Sequence, residues 1–360
     1  MLIVIAGAAS LLAWLYLLLW HGEFWRASRH LPRSLRGTRS RGRVAVIVPA
    51  RNEAEFIGQS ITSLLNQGGS NTIHIFLVDD DSSDGTAEIA LQAAAQAGKS
   101  TSLTVLRGLP IEPGWTGKLW AMQQGIERAR EFAPDFFLLT DADILHTPDN
   151  VATLEAVAES RPCDLVSFMV RLQCSTAAEK FLIPAFVFFF FKLYPPAWIS
   201  EGRRKTAGAA GGSILVRPQA LQAAGGIQAI RSEIIDDCAL ARKVKDNGGR
   251  LWLGMTEGTV SLRSYGTFAE VGKMISRTAF NQLNHSVLLL VAAIIGLTAM
   301  YLLPPILLLT HHPLPLALGA TAWLLMAMAY LPMVRFYRLN PLWSLTLPLT
   351  ATFYMGATLH

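Results

Sequence analysis

Long uncharged stretches stand at both ends of this chain, and a mixed apolar and polar pattern fills the middle. Residues 2–20 carry no charge, and apolar blocks follow at about 287–310, 314–334 and 342–359. About 20 consecutive apolar residues are enough to span a bilayer. The pattern predicts a transmembrane anchor over residues 1–21 and a C-terminal transmembrane region of about three helices over 286–360.

The middle of the chain alternates short apolar runs with segments whose apolar residues recur at helical spacing. The runs at 44–49, 73–78, 103–106 and 136–139 are typical of buried strands. Strands that alternate with helices form parallel sheets with right-handed crossovers. We therefore expect an α/β domain over residues 44–285, with a mostly parallel sheet and helices on both faces.

The apolar stretch at 181–200 needs a separate interpretation. It is apolar enough to span a membrane, but Lys192 and three prolines suit a lipid-exposed span poorly. If this stretch crossed the membrane, the residues of the domain that follow it would lie on the opposite side of the bilayer from those that precede it. We predict an interfacial helix in the headgroup region. A helix buried in the protein core is the alternative.

Charge and cysteine content narrow the class of protein. The 360 residues are 51% hydrophobic and 16% charged, with a net charge of +5. Seven arginines fall between residues 26 and 43, within a predicted linker over 22–43. Arginines beside an apolar segment indicate the cytoplasmic side of a membrane, and no element that reads nucleic-acid bases accompanies them. Three cysteines without a CxxC spacing argue against a disulfide framework or a zinc site.

Acidic residues follow two of the predicted strands. Asp79 and Asp80 come directly after the run at 73–78, and Asp141 and Asp143 follow the run at 136–139. Ligands bind at the carboxyl ends of strands in open α/β sheets. Paired carboxylates there suit Mg²⁺ or Mn²⁺ shared with a diphosphate. Ordinary turns, in which aspartate is common, remain an alternative for each cluster taken alone.

Five segments in order resemble the signature of family-2 glycosyltransferases of the GT-A fold. They are Val-Pro-Ala-Arg-Asn-Glu at 48–53, the Asp-rich loop at 78–86, Asp-Ala-Asp at 141–143, Gly-Ser-Ile-Leu-Val-Arg at 212–217 with glycines at 225–226, and Asp-Asp-Cys-Ala-Leu at 236–240 with Gly248. Together they are far more specific than any one segment. The Gly-Trp-Thr-Gly-Lys-Leu-Trp-Ala segment and the terminal apolar stretches are most similar to bacterial hopene-associated glycosyltransferases. Ceramide and carotenoid glycosyltransferases are more distant.

The resemblance and the chemistry of diphosphate transfer together suggest roles for specific residues. Candidate donor-binding residues are Pro49, Ala50, Arg51, Glu53, Asp79, Asp80, Lys118, Asp141 and Arg277; candidate metal ligands for Mg²⁺ or Mn²⁺ are Asp143 and Asp141; acceptor-side residues are Gly211 and Gly212; and catalytic residues are Asp236 and Asp237. The resemblance makes Asp237 the base, and direct displacement would invert the anomeric centre. Lys118 has an alternative as a surface lysine, and Arg277 as an arginine near lipid headgroups.

One departure from the family pattern bears on the product. Membrane-bound relatives often carry Gln-x-x-Arg-Trp after the base, whereas residues 274–278 keep only Arg277. This favours transfer of a single sugar over polymer synthesis. We expect a multi-pass protein of the bacterial inner membrane that transfers one sugar, from a UDP-sugar, to a lipid hydroxyl on the cytoplasmic face. The identity of the acceptor stays open, because a hopanoid-related lipid, a sphingolipid, a carotenoid and a polyprenyl carrier all fit an interfacial site. The alternatives are a nucleotidyltransferase and a catalytically idle membrane-assembly protein.

Overall fold

A computed structural model describes residues 1–26, 42–69, 72–282 and 286–359, with only the backbone described at 278–281. Most of the predicted basic linker and the predicted domain end at residue 285 therefore lie outside the described residues. The described residues form two compact units. One contains residues 42–172 and Trp198–Arg263, and the other contains residues 1–26, Gln173–Ala197 and residues 264–359.

The described chain contains eight strands and fourteen helices, besides short 3-10 and π turns. The strands are β1 (Arg43–Ala50), β2 (Thr72–Asp79), β3 (Leu103–Arg107), β4 (Phe136–Leu139), β5 (Ile144–His146), β6 (Leu165–Arg171), β7 (Ile214–Val216) and β8 (Leu251–Ser261). The helices are α1 (Leu2–Leu19), α2 (Ile57–Leu65), α3 (Thr86–Gln96), α4 (Gly117–Ala129), α5 (Asn150–Ser160), α6 (Ala177–Leu193), α7 (Pro196–Ile199), α8 (Pro218–Ala223), α9 (Asp236–Asp246), α10 (Phe268–Gln282), α11 (Val287–Leu297), α12 (Leu303–Leu307), α13 (Pro313–Phe336) and α14 (Leu347–Thr358).

All eight strands form one mixed sheet in the order β3-β2-β1-β4-β7-β6-β8-β5. The first four strands run parallel, and β6 runs parallel to β8. Strand β7 is antiparallel to both of its neighbours, and β5 is antiparallel to β8. The predicted α/β class with a mostly parallel sheet is confirmed. The sequence pattern did not indicate the antiparallel strands, because β5 and β7 are only three residues long.

Helices cover both faces of the sheet, as the alternation of side chains along the strands requires. Val44, Val46 and Val48 of β1 belong to the core that contains α2, α3 and α5. The neighbouring residue Ile47 faces α4, because a Cβ added at Gly125 would lie 2.8 Å from its side chain. A bulkier residue than glycine at 125 would push α4 away from the sheet.

The second unit consists of apolar helices. In it α6 packs against α10, α13 and α14, and residues such as Phe188 and Phe191 of α6 are buried. Hydrogen bonds reinforce this packing, among them Tyr354 Oη to the Leu182 carbonyl at 3.0 Å and Trp14 Nε1 to the Met300 carbonyl at 2.9 Å. Such bonds between helices satisfy polar groups where water is excluded, as an apolar environment requires.

Four helical segments of the described residues are long and apolar enough to span a membrane, by length and composition: Leu2–Leu19, Ala177–Ile199, Val287–Leu307 and Pro313–Phe336. The apolar block at 342–359 folds as a 3-10 turn followed by α14, which has only 12 residues. The membrane location of these segments stays a prediction.

Candidate active site

The carboxyl ends of β1 and β2 lie side by side, and they bring two predicted loops together. Ala50 and Asp79 are register partners, and the Asp80 N–H donates to the Ala50 carbonyl at 2.8 Å. Asn52 adopts a φ of +54° and accepts a hydrogen bond from the Ser83 N–H through its side chain. Asparagine tolerates this conformation better than most residues. The two loops therefore form one linked structure.

Two predicted donor-binding residues meet at this edge. Arg51 Nη1 lies 3.4 Å from Asp80 Oδ2, and Arg51 is largely exposed. Gly117 begins α4 directly against the same carboxylate, where an added Cβ would lie 3.0 Å from Asp80 Oδ2. Asp79 Oδ1 instead accepts the Ser82 N–H of its own loop at 3.1 Å. Of the two acids, Asp80 is therefore the one near the N-terminus of α4.

Lys118 joins acids that are far apart in the sequence. Its Nζ lies 2.8 Å from Asp141 Oδ1 and 3.1 Å from Asp236 Oδ2. The lysine is the second residue of α4, Asp141 follows β4, and Asp236 begins α9. We call Lys118, Asp141, Asp236 and Asp237 the lysine cluster. Three predicted site segments thus converge at one ammonium group.

Asp237 is held by backbone groups of the acceptor-side segment. Its Oδ2 accepts the Gly211 N–H at 2.9 Å, and its Oδ1 accepts the Cys238 N–H at 2.7 Å. Burial raises the pKa of Asp237 to about 7; the neighbouring Asp236 carboxylate adds to the rise, and Lys118 opposes it. A carboxylate with such a pKa exchanges a proton readily near neutral pH.

The charges of the lysine cluster shift its other members too. Burial by itself would lower the pKa of Lys118, but Asp141 and Asp236 raise it further, so the net shift is upward. Burial also raises the pKa of Asp141, and Lys118 opposes that rise. The ammonium group therefore stays charged at any working pH.

Arg263 forms a second cluster that sequence reasoning missed. Its Nη2 contacts both carboxylate oxygens of Glu53, at 2.6 and 2.7 Å, and its Nε lies 3.2 Å from Asp143 Oδ2. Ser261 Oγ donates to the same Asp143 oxygen at 3.2 Å. We call Glu53, Asp143, Ser261 and Arg263 the arginine cluster. Burial raises the pKa of Glu53, with Arg263 opposing and Asp143 adding to the rise.

The register of an antiparallel pair explains why Arg263 arrives here. Ile144 of β5 pairs with Ser261 of β8, and the Leu262 N–H donates to the Asp143 carbonyl at 2.7 Å. Residues that follow β8 are therefore delivered to the start of β5. No local pattern marks Arg263 among the 31 basic residues of the chain, so only the strand pairing could have identified it.

A buried network lies beneath both clusters. Thr140 Oγ1 donates to the Gly212 carbonyl at 2.7 Å and lies 3.1 Å from His146 Nε2. Asn150 Nδ2 lies 2.9 Å from His146 Nδ1, and Asn150 Oδ1 accepts from Thr259 Oγ1. Because the hydroxyl proton of Thr140 goes to the Gly212 carbonyl, His146 Nε2 must donate to Thr140 Oγ1, and His146 Nδ1 must accept from Asn150. Burial lowers the pKa of His146 to about 3, so the ring is neutral.

Comparison with known proteins bears on the family of the domain that contains most of these residues. Residues 45–222 match the model of Glycosyl transferase family 2. These residues form a glycosyltransferase family 2 domain. The sequence prediction of this family is thereby confirmed for the domain, while the lysine cluster and the arginine cluster each draw further residues from beyond residue 222.

Two curated relatives each match about a third of this chain. A 4,4'-diaponeurosporenoate glycosyltransferase of Staphylococcus haemolyticus is 33% identical over 117 residues, which is 32% of this chain and 28% of that protein. The uncharacterized protein MJ1222 of Methanocaldococcus jannaschii is 34% identical over 108 residues, which is 30% of this chain and 38% of that protein. The matches therefore span well under half the length of these curated relatives.

One solved structure resembles the chain along nearly its whole length. It is the mannosyltransferase PcManGT from Pyrobaculum calidifontis, in complex with GDP-Man and Mn²⁺. The likeness covers 99% of this chain and 97% of that one, with 20% sequence identity and a TM-score of 0.57. At this identity the comparison shows the fold, and it confirms the predicted GT-A architecture.

The carboxylates of the family 2 domain fit a divalent metal that a substrate helps to bind. Among the described residues no three His, Cys, Asp or Glu side chains form a group that could hold an ion by themselves. Asp141 and Asp143 supply two hard oxygen ligands, which suffices for Mg²⁺ or Mn²⁺ when phosphate oxygens complete the shell. The two clusters contain five carboxylates (Glu53, Asp141, Asp143, Asp236 and Asp237) and two cations. This formal negative excess would repel a diphosphate unless a further cation were present.

Arg277 belongs to a different compact unit from the residues of both clusters. It is exposed on α10, in the unit of apolar helices. Its predicted contact with the diphosphate, and the alternative near lipid headgroups, both stay predictions. Gly212 does lie within the domain core, where an added Cβ would lie 2.8 Å from the Val170 side chain.

Proposed function

We propose that this protein is an inverting glycosyltransferase that transfers a single sugar from a nucleotide-sugar donor to a hydroxyl group of a membrane lipid. The observation that carries the proposal is the lysine cluster. Lys118 Nζ lies 2.8 Å from Asp141, which follows β4, and 3.1 Å from Asp236, which begins α9. One site thus holds the acid that would face the donor and the acids that would face the acceptor.

The donor side is built from the loops that follow β1, β2 and β4. Arg51, Asp80 and the N-terminus of α4 surround the place where the nucleoside would lie, since backbone and side-chain groups there can bind its hydroxyls and base. Asp141 and Asp143 would hold Mg²⁺ or Mn²⁺, which would neutralise the departing diphosphate. The Mn²⁺ in the complex of the Pyrobaculum calidifontis mannosyltransferase supports the use of a divalent metal.

The acceptor side is centred on Asp237. Two backbone N–H groups fix its carboxylate, which limits its rotation and keeps it directed into the site. Asp237 would take the proton of the acceptor hydroxyl as that oxygen attacks the anomeric carbon from the face opposite the leaving diphosphate. Attack from the opposite face inverts the configuration. Asp236 would hold Lys118 between the two sides.

The apolar helices support a lipid acceptor. Strands β6 and β7 flank α6 in the chain, yet they pair directly, with Leu165 opposite Val216. A single crossing of a bilayer by α6 would leave these strands on opposite sides. The pairing supports our proposal that this segment lies along the membrane surface, with the α/β unit in the bacterial cytoplasm. The hydroxyl of a membrane lipid, hopanoid-related or other, would then meet Asp237 at the interface.

Product analysis by mass spectrometry tests the proposal. Purified protein in detergent is incubated with Mn²⁺, a panel of UDP- and GDP-sugars and a bacterial lipid extract, alongside the D237N variant. We expect one lipid to gain a single sugar with the wild-type protein, together with free nucleoside diphosphate, and no gain with D237N. A product that retains the nucleotide would indicate a nucleotidyltransferase instead. No product with any donor would contradict the proposal and favour an idle assembly protein.

A further inference from the structure

We propose that Arg263 is a resident cation of the donor site, which shares Asp143 with the metal and disfavours metal binding until the donor arrives. The inference rests on the proposed function, because it assumes that Asp143 is a metal ligand. Arg263 lies outside the matched segment 45–222, and its proposed role concerns the order in which the metal and the donor bind.

The geometry places Arg263 between two carboxylates. One end of the guanidinium group contacts both Glu53 oxygens, and the other end, Nε, contacts Asp143. The planar group also lies over the Phe56 ring, 5.3 Å from its centroid. Glu53, Phe56 and the end of β8 thus fix the position of the charge. Arginine suits this place because its rigid fork can bind two acids at once.

A cation at Asp143 opposes a metal ion at the same carboxylate. Like charges at a few ångströms repel, and the repulsion is stronger where water is partly excluded. Without the donor, a metal ion at Asp143 must either displace Arg263 or accept its repulsion. When the diphosphate is present, its negative charge attracts both cations. Arg263 therefore favours joint binding of metal and diphosphate over binding of the metal alone.

Glu53 keeps the arginine at the site during this exchange. If Arg263 released Asp143 to the metal, the two contacts with Glu53 would still hold the guanidinium group beside the diphosphate. The same pair explains why a partly buried glutamate can be tolerated in a site that binds an anion. Arg263 is thus a positioning and charge-balancing residue, and Asp237 remains the base.

Binding measurements on the full-length protein in detergent test the inference. Mn²⁺ binding is measured by electron paramagnetic resonance without nucleotide, and binding of UDP and GDP is measured by calorimetry at saturating Mn²⁺. In R263Q we expect Mn²⁺ alone to bind about tenfold more tightly, because a competing cation is gone. We expect the nucleoside diphosphate to bind about tenfold more weakly, because a cation beside it is gone.

Three further variants extend the test. R263K retains the charge without the fork, and we expect intermediate values. E53Q leaves the guanidinium charge to Asp143 alone, so Mn²⁺ without nucleotide should bind more weakly than in wild type, opposite to R263Q. R107Q is the matched control, because Arg107 is an exposed arginine that ends a strand of the same sheet. It should leave both affinities unchanged.

The direction in which each variant changes the affinities for Mn²⁺ and nucleoside diphosphate separates the possible outcomes. If R263Q weakens both kinds of binding, or changes neither, Arg263 is only structural and the inference is wrong. E53Q provides an independent measurement should R263Q fail to fold, because tighter Mn²⁺ binding in E53Q would also overturn the inference. Failure of the wild-type protein to bind Mn²⁺ with either nucleotide would instead contradict the proposed function itself.

Discussion

Asp141 and Asp143 stand one residue apart, yet they belong to different clusters. Asp141 contacts the ammonium group of Lys118, together with Asp236 from the start of α9. Asp143 contacts the guanidinium group of Arg263, together with Glu53 from the loop after β1. In the proposed function, the lysine cluster would therefore connect the donor side to the acceptor side, whereas the arginine cluster would connect two donor-side loops.

The chemistry of the two cations matches this division. An ammonium group on a flexible stem has no preferred plane, so it can be shared by acids from two places in the fold, the loop after β4 and the start of α9. A guanidinium group has fixed donor directions and holds two carboxylates in a defined relation. One Asp-x-Asp motif can therefore separate two tasks. In the proposed function both acids would bind the metal; Asp141 would also hold Lys118 near the reacting carbon, and Asp143 would also hold Arg263 near the diphosphate.

The largest expected effect comes from replacing Asp237, the proposed base of the lysine cluster. D237N should lower the rate of sugar transfer about 10²- to 10⁴-fold, since an amide cannot accept the hydroxyl proton. The amide keeps one acceptor oxygen, so one of the two backbone hydrogen bonds, from Gly211 or from Cys238, is lost while the other still holds the side chain in place. Binding of UDP or GDP with Mn²⁺ should stay within about twofold of wild type. The division between the two clusters would fail if donor binding were lost along with transfer.

Removing the charge of Lys118 should give a smaller effect, which acts on both the donor side and the acceptor side of the proposed site. K118Q leaves the three acids of the lysine cluster without a counter-charge, and we expect kcat to fall about 10- to 100-fold. Since Lys118 opposes the rise in the pKa of Asp237, its removal should move the acidic limb of the kcat/KM profile, where the base becomes protonated, to higher pH. The measurement is the pH dependence of transfer in wild type and K118Q, with K118R as the charge-retaining control. An unshifted profile would show that Lys118 does not act on the base.

All four residues of the lysine cluster are candidate site residues in the sequence, whereas only Glu53 and Asp143 of the arginine cluster are. Asp141, Asp236 and Lys118 were each found from a local segment, and the fold then brought these segments together. Glu53 and Asp143 were also found, but their common partner was not. The reason is physical: Arg263 is placed by the pairing of β5 with β8, and such long-range register leaves no local periodicity.

Prediction of the fold from local sequence patterns has the same limit. Four apolar runs predicted the parallel strands β1 to β4, because a strand buried on both faces is continuously apolar. Strands β5 and β7 have three residues each, too few for any pattern, and they are the antiparallel ones. Single residues such as Gly125 of α4 also carry no signal, since their role depends on the close approach of α4 to β1 and β2.

A substitution of Thr140 tests whether both clusters depend on the buried network that contains it. T140V removes the hydroxyl that donates to the Gly212 carbonyl and receives the His146 N–H. Two buried polar partners would lose their bond, and we expect a loss of about 1–3 kcal/mol in the free energy of unfolding. T140S should restore most of it. Denaturation in detergent measures the stability. If T140V were as stable as wild type, the two clusters would not depend on this network.

The smallest expected effect is an acid sensitivity that depends on His146. Its pKa in the folded chain is about 3, whereas a free histidine titrates near 6.5. Between these values the unfolded chain binds a proton that the folded chain does not, so stability falls as pH falls. The expected slope is about 1.4 kcal/mol per pH unit below about pH 6.5.

The variant H146Q removes this titration while its amide can still donate to Thr140 and accept from Asn150. From pH 7.5 to 5.5 the wild-type protein should therefore lose about 1.4 kcal/mol more of its free energy of unfolding than H146Q. Every other titrating group is common to the two proteins and cancels in the difference. An equal loss in both would mean that the ring becomes protonated within the folded domain. In that case Nδ1 would have to turn away from the Asn150 amide, and the network beneath Asp141 and Asp143 would rearrange in acid.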